Sequence, residues 1–395
     1  MREKGIGKVK PKTKMLLWTV SAGRCCICNK AVWKDWFTQA RGNFGEVAHI
    51  IGNRLDIQGR EKEKLSQEYV NDIDNLMLLC LEHHQLIDYV EPQKYPDERL
   101  RQIKNLHETR IQRVTEDGTK RSIFLKYGAN IDAHHAIISN ADARLAMILN
   151  GWYPTDENPV KLGVDNSVDR DNTKEFWPHQ VRELETQFST KILPYIKPDE
   201  ETHFSIFALA PIPLLVKLGA LFSDKLRAEV YQFHREPEQT WLWEENSKEV
   251  DFIVNEPDSF QRTVALNISF SDTIAKERIE QVLGETGVSI WTLTIPKPDK
   301  DFLKSRDQLS QFREIFRDIL GKIKTHHPDA TAIHIFPAMG VAPAVEVGRV
   351  WQPKADLPLI IYDENRLLGG FVPALKINNR ERNNDGIRRI SSRFK

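Results

Sequence analysis

Asn75-Leu76-Met77-Leu78-Leu79-Cys80-Leu81-Glu82-His83-His84 reads as a strand running straight into a helix. The apolar run at 76–79 predicts the strand, and the polar residues after it predict the helix. Neighbours on a helix point about 100° apart, so His83 and His84 cannot easily serve one site. Upstream lies Cys25-Cys26-Ile27-Cys28. The spacing of Cys25 and Cys28 is repeated by Cys80 and His83. Two such pairs make the donor set of a tetrahedral zinc site, and a closed set of four leaves no position for water, so this zinc is structural. Cys26 is a bystander. The alternative, buried apolar cysteines without metal, gives no reason for the doubled spacing.

His84 then faces elsewhere and is available for a second metal. Asp88 follows four residues later on the same face, where it could orient or ligate. Between the zinc pairs stands Val47-Ala48-His49-Ile50, where His49 ends a strand expected at 45–48. A neutral imidazole there can take a proton from water, and the resulting nucleophile attacks phosphorus. A divalent ion, most simply Mg²⁺, would bind the scissile phosphate and stabilise charge on the leaving oxygen. Asn75 can ligate that ion or pin the loop containing His49. A lone histidine is more often structural. Here the order decides: strand-His, long polar loop, Asn-strand, helix-His.

That order resembles the HNH endonucleases, the ββα-metal nuclease finger, over roughly residues 20–92. The resemblance implies His49 as general base, with Asn75 and His84 at the metal. Ala48 departs from the family, many of whose members carry an Asp or His ligand there. A Cys-x-x-His replaces the second Cys-x-x-Cys, which zinc tolerates. Double-stranded DNA is the implied substrate, cut with weak sequence preference because such sites contact mainly phosphate and sugar. The residues themselves do not exclude RNA.

The chain has 395 residues, 40% hydrophobic and 28% charged, a soluble composition with room for two or three domains. No apolar run reaches the roughly 18 residues of a membrane span. No apolar segment follows the basic start, so no signal peptide is expected; the expected location is the cytoplasm. All four cysteines fall in the first 80 residues, a metal pattern rather than a disulfide scaffold. Net charge is zero, yet through residue 41 ten Lys and Arg stand against two acids. Such a basic arm suits phosphate contact, or is simply a solvated terminus.

The expected organisation is a basic lead at 1–14, the nuclease at 15–95, a connector helix and linker at 96–120, an α/β domain at 121–377 and a basic tail at 378–395. Leu100, Ile103, Leu106, Ile111 and Val114 mark the connector helix, and 115–120 reads as a break. Beyond it, strand patterns at 204–210, 229–233, 264–270, 288–295, 332–336 and 357–362 alternate with helix patterns at 212–222, 274–283 and 308–323. That alternation predicts an α/β domain with a mainly parallel sheet. Residues 154–175 read as a long loop. No Walker A or Rossmann glycine fingerprint occurs, which argues against an ATP-driven motor and leaves recognition or control. Three segments could touch a ligand: the turn at 337–340 before a helix from 342, the indoles of Trp241 and Trp243, and Ser271-Asp272-Thr273. Core packing and simple capping are the alternatives for these.

This region resembles the SAVED sensor domain joined to HNH nucleases in bacterial CBASS antiphage defence. The match rests on Phe124-Leu125-Lys126-Tyr127-Gly128-Ala129-Asn130, on Trp241-Leu242-Trp243, and on Ile333-His334-Ile335-Phe336-Pro337-Ala338 leading to Ala344-Val345-Glu346-Val347-Gly348-Arg349. The resemblance implies two fused CARF-like Rossmann-type halves. They bind a cyclic dinucleotide made by a cognate cyclase, which drives oligomerisation from dimer toward tetramer and switches on DNA degradation. Ligand contacts are placed on that basis at Trp241, Trp243, Ser271, Met339, Glu346, Arg349 and Lys217. One alternative is a restriction-type HNH enzyme whose C-terminal domain recognises modified DNA; zero net charge and no basic stripe oppose it. Another is a non-catalytic zinc module, opposed by the retention of His49, Asn75 and His84 together.

Overall fold

The fold is described from a computed structural model covering residues 8–51, 69–116, 120–129, 138–163, 175–197, 201–245, 247–284, 287–365 and 369–378. The rest of the expected lead, of the long polar loop after His49, of the loop at 154–175 and of the C-terminal tail lies outside the described residues, as does Asn130. The chain divides into two compact units, Met1–Lys120 and Arg121–Lys395.

In the first unit α1 (Pro11–Val20) is followed by β1 (Gly45–His49), β2 (Leu76–Cys80), α2 (Leu81–Gln85) and α3 (Asp97–Glu116). The helix α1 begins inside the stretch expected to be a lead: Pro11 occupies its first turn, where a missing N–H costs nothing and φ is already helical, and Leu17 is buried. β1 and β2 pair antiparallel, with Gly45 opposite Cys80 and His49 opposite Leu76. All five residues of β2 are buried, as a continuous apolar strand requires.

The second unit contains β3 (Arg121–Gly128), α4 (Asn140–Leu149), β4 (Tyr153–Pro154), β5 (Val160–Leu162), α5 (Phe176–Gln187), β6 (His203–Leu209), α6 (Ile212–Phe222) and β7 (Arg227–Val230). It continues through β8 (Ile253–Asn255), β9 (Thr263–Ser269), α7 (Lys276–Leu283), β10 (Val288–Thr294), α8 (Arg306–His326), β11 (Ile333–Ala338), α9 (Val341–Val350), β12 (Leu359–Asn365) and β13 (Gly370–Ile377). Two sheets form. One has the order β4-β3-β6-β7, with β5 also paired to β3, and is parallel throughout. The other has the order β13-β12-β11-β9-β10-β8; its four central strands are parallel and both edges antiparallel. The expected loop at 154–175 thus contains β5 on the first sheet.

The helices α6 and α9 join the two sheets. Gly219 of α6 and Gly348 of α9 meet where a Cβ would strike the other helix's backbone, so only glycine permits this approach. One apolar core spans both sheets. The long helix α8 is started by a capping box: Ser305 Oγ accepts from Gln308 N–H at 3.3 Å, and Gln308 Oε1 accepts from Ser305 N–H at 3.1 Å. Among the described residues, no helix is long and apolar enough to cross a membrane.

Candidate nuclease centre and sensor core

Residues 25–30 close into a knuckle because Asn29, at φ 60°, reverses the chain. Asn29 N–H donates to Cys25 O at 2.8 Å, and Cys25 N–H donates to Lys30 O at 2.9 Å. Cys26 N–H donates to Leu78 O at 2.9 Å, which fixes the knuckle against β2. Cys80 ends that strand, and His83 follows one helical turn later. Cys28 Sγ lies 3.8 Å from Cys80 Sγ, Cys80 Sγ lies 3.1 Å from His83 Nδ1, and the ligand atoms of Cys25, Cys28, Cys80 and His83 all fall within 4.8 Å of one another. Tetrahedral zinc with bonds of about 2.3 Å to sulfur sets a sulfur–sulfur edge near ~3.8 Å. The donor set fits. Burial raises the Cys25 and Cys28 thiols and pushes Cys80 up to about 11, while it lowers His83, disfavouring the charged imidazolium. An ion held here would displace thiol protons.

At the opposite end of the hairpin stands His49. Its Nε2 lies 3.3 Å from Val70 O. A carbonyl only accepts, so Nε2 donates and the basic lone pair is on Nδ1. Asn75 is fully buried. Its Oδ1 accepts from Ile51 N–H at 2.9 Å, and its Nδ2 donates to Ile51 O at 3.3 Å and Tyr69 O at 3.4 Å. These bonds, with the one from Ile50 N–H to Asn75 O at 2.9 Å, tie the segment leaving His49 to Asn75. The helix α2 packs against both strands and presents His84, whose Nε2 sits 3.4 Å from Asp88 Oδ2. An imidazole and a carboxylate one turn apart can hold a divalent ion.

The connector helix does more than its stripe indicated. His107 Nε2 donates to Ser21 O at 3.2 Å, and Arg110 reaches both His107 Nδ1 and the Asn29 side chain of the knuckle. Burial, helped by the cations of Arg110, Arg24 and Lys104, pushes His107 down to about 4. No signal short of knowing that α3 docks on the knuckle would have found this pair.

In the second unit, Ser271 N–H donates to Ala338 O at 2.9 Å, so Ser271 and Met339 lie together past the ends of β9 and β11. Asn267 inside β9 organises that turn: its Nδ2 donates to Ile274 O at 2.9 Å and its Oδ1 accepts from Ser269 Oγ at 2.8 Å. Trp241 and Trp243 do not form a joint stacking face. Trp241 is 2% exposed and packs edge-on against Phe207 at 5.1 Å, because the first sheet's open side needs a large apolar cover. Trp243 is half-buried and edge-on to His234 at 5.9 Å.

Lys217, Glu346 and Arg349 are buried at the α6–α9 crossing and paired within the protein. Lys217 Nζ lies 2.6 Å from Glu185 Oε1, and Arg349 Nη1 donates to Glu346 Oε1 at 2.7 Å while Nη2 donates to Leu226 O at 3.1 Å. Sequence reading missed Gln232, whose Oε1 accepts from Ala342 N–H at 3.1 Å and so caps α9 from the tail of β7.

Residues 25–90 match the HNH endonuclease family, and residues 184–377 match the family described as SMODS-associated and fused to various effectors sensor domain, or SAVED. The chain therefore joins an HNH endonuclease segment to a SAVED sensor domain. No curated protein matches it. Among solved structures it is similar to the Acinetobacter baumannii Cap4 SAVED/CARF-domain containing receptor with the cyclic trinucleotide 2'3'3'-cAAA. That match has 14% identity, covers 80% of this chain and 67% of the other, and has a TM-score of 0.43. A Moraxella osloensis Cap4 receptor is similar at 13% identity, with 80% and 70% covered and a TM-score of 0.37. These scores are too low for a shared fold to be argued from them.

Proposed function

We propose that this protein is a cyclic-dinucleotide-activated, metal-dependent endonuclease that degrades double-stranded DNA with little sequence preference in CBASS antiphage defence, in the bacterial cytoplasm. The observation that carries the reading is the ββα unit itself. It sets His49 at the exit of β1, pins the next segment through Asn75 and presents His84 and Asp88 on the following helix. His49 Nδ1 takes the proton from the attacking water, and the Nε2 bond to Val70 O holds the ring in the tautomer that does so. His84 and Asp88 hold the divalent ion, Mg²⁺ in the simplest case; when bound it neutralises charge on the scissile phosphate. With Ala48 in place of a third ligand, these two carry the protein's share of the coordination. Asn75 acts by positioning. Zinc on Cys25, Cys28, Cys80 and His83 serves to hold the hairpin to the knuckle.

The two sheets of the second unit act as two CARF-like halves around a cyclic dinucleotide supplied by a cognate cyclase. Ser271, Met339 and Trp243 touch the ligand, while Trp241, Lys217, Glu346 and Arg349 support the site from behind. Binding drives assembly from dimer toward tetramer. The test is plasmid cleavage by the purified chain. Cutting is expected only with Mg²⁺ and the cyclic dinucleotide together, and His49→Ala abolishes it while leaving zinc content unchanged. Equal cutting without the nucleotide removes the sensor reading.

A further inference from the structure

Between the zinc knuckle and β1 the chain makes a short excursion whose tip carries two bare aromatic rings. Trp36 is 69% exposed and Phe37 is 78% exposed, and the rings meet edge-on at 5.7 Å. The tip is held by its own bonds. The Asp35 carboxylate turns inward, and its Oδ1 accepts from Phe37 N–H at 3.2 Å, Thr38 N–H at 2.7 Å and Thr38 Oγ1 at 2.7 Å. Asp35 N–H donates to Ala40 O at 2.8 Å and Gln39 Nε2 donates to Trp36 O at 2.6 Å. Below the tip, Lys34 and Arg41 face each other across an isolated antiparallel bridge. Gly42 N–H then donates to Trp33 O at 3.0 Å, returning the chain to β1 and His49.

Exposed apolar rings on a preorganised support mark a binding surface. The charge around them selects the partner. Through residue 41 the sequence carries ten basic residues against two acids, and one of those acids, Asp35, is committed to the turn. Lys34 and Arg41 stand directly below the rings, so a polyphosphate duplex would be attracted there. We propose that Trp36 and Phe37 form a wedge that enters double-stranded DNA at a base step, stacking on the exposed base, while Lys34 and Arg41 hold the phosphates on either side. Opened base steps deform toward the wedge, which suits an enzyme that reads no sequence. The inference rests on the nuclease reading above and adds how the substrate is gripped.

The test uses the full chain carrying His49→Ala, so that DNA is bound without being cut, and a duplex containing a fluorescent adenine analogue. Trp36→Ala with Phe37→Ala should weaken binding at least about tenfold, as expected for losing base stacking, and remove the emission change of the analogue. Trp36→Phe should keep most of both. Lys34→Ala with Arg41→Ala should leave the emission change in place and lower the salt dependence of binding by about two phosphate contacts. Both rings are solvent-exposed, and unchanged zinc content checks that the variant is folded. Unchanged affinity and emission in the double aromatic variant would overturn the wedge and leave the nuclease reading intact. Lost self-association with intact DNA affinity would also overturn it, making the tip an interface between copies. A parent chain that binds no DNA even with the cyclic dinucleotide present would sink both.

Discussion

Replacing Gly348 by alanine tests how the sensor unit is joined. A Cβ on Gly348 would press on the carbonyl of Val216, lie 2.5 Å from Ala220 N and 2.9 Å from Gly219 C, all of them backbone atoms of α6. A Cβ on Gly219 would in turn lie 2.9 Å from Val345 C and 3.0 Å from Arg349 N. Ordinary contact begins near ~3.5 Å, so α6 and α9 would have to part by about 1.5 Å to clear the facing carbonyls. Backbone cannot swing aside as a side chain can, which puts the overpacking cost at the upper end of the usual range, about 3 kcal/mol. Alanine recovers ~1 kcal/mol as the better helix former. The net expectation is a loss of about 2 kcal/mol for either single variant. Both variants demand the same separation, so the double variant should cost less than the sum by about 1 kcal/mol or more. A chain with two compact units need not unfold in one step; protection of α6 and α9 amides against hydrogen exchange reports this crossing directly. A Gly348→Ala chain as stable as the parent, or singles that simply add, would refute a backbone-on-backbone contact.

Three further outcomes are expected. Cys28→Ser should lose the zinc seen by native mass spectrometry, whereas Cys26→Ser, whose Sγ faces Ser21 Oγ at 3.9 Å instead of the ligand cluster, should keep it. Asn75→Ala should strip the partner from Ile51 N–H and cost about 2–4 kcal/mol, read as lost exchange protection at Ile51 and lost cleavage, with zinc retained. His107 has its folded pKa depressed to about 4 from 6.5. As pH falls below 6.5 the unfolded chain takes up a proton that the folded chain refuses, so stability falls between pH 6.5 and 4 by up to ~3 kcal/mol. His107→Gln should flatten that part of the pH–stability curve, and an unchanged slope would remove His107 as its source.

Where the sequence carried a short-range signal, it was enough. The helix expected at 212–222 has those bounds in the structure, because Pro213 sits in its first turn and an apolar run, interrupted by Lys217, follows. The strand pairs around His49 and Cys80 were legible because ligand spacing fixes the chain locally. Other elements were not. β13 contains Pro373 and pairs antiparallel with β12 across an irregularity at Ile361 and Tyr362, which erases a simple alternation. α5 carries Pro178 and two charged residues in its first eight positions, and its helical face is defined only by the core it meets. The indole of Trp241 looked like a stacking platform because nothing local distinguishes an aromatic ring facing solvent from one facing Phe207.

The buried charges show why a site residue and a structural one can look alike. Gly219 and Gly348 make reciprocal contacts, Gly219 with Val345 and Arg349, Gly348 with Val216 and Ala220. Lys217 and Glu346, each one residue after those valines, therefore occupy equivalent places on the two crossing helices. Each reaches the helix that precedes the neighbouring strand: Lys217 pairs with Glu185 of α5 at 2.6 Å, and Glu346 pairs with Arg313 of α8 at 3.1 Å. The geometry is repeated with the signs of charge exchanged. The partners Glu185 and Arg313 are partly exposed, and Glu346 is also held by Arg349, so these pairs favour one rotation of each helix without being its sole support. The crossing glycines let the helices close, and the two opposite pairs tie α6 to α5 and α9 to α8 on either side of that contact.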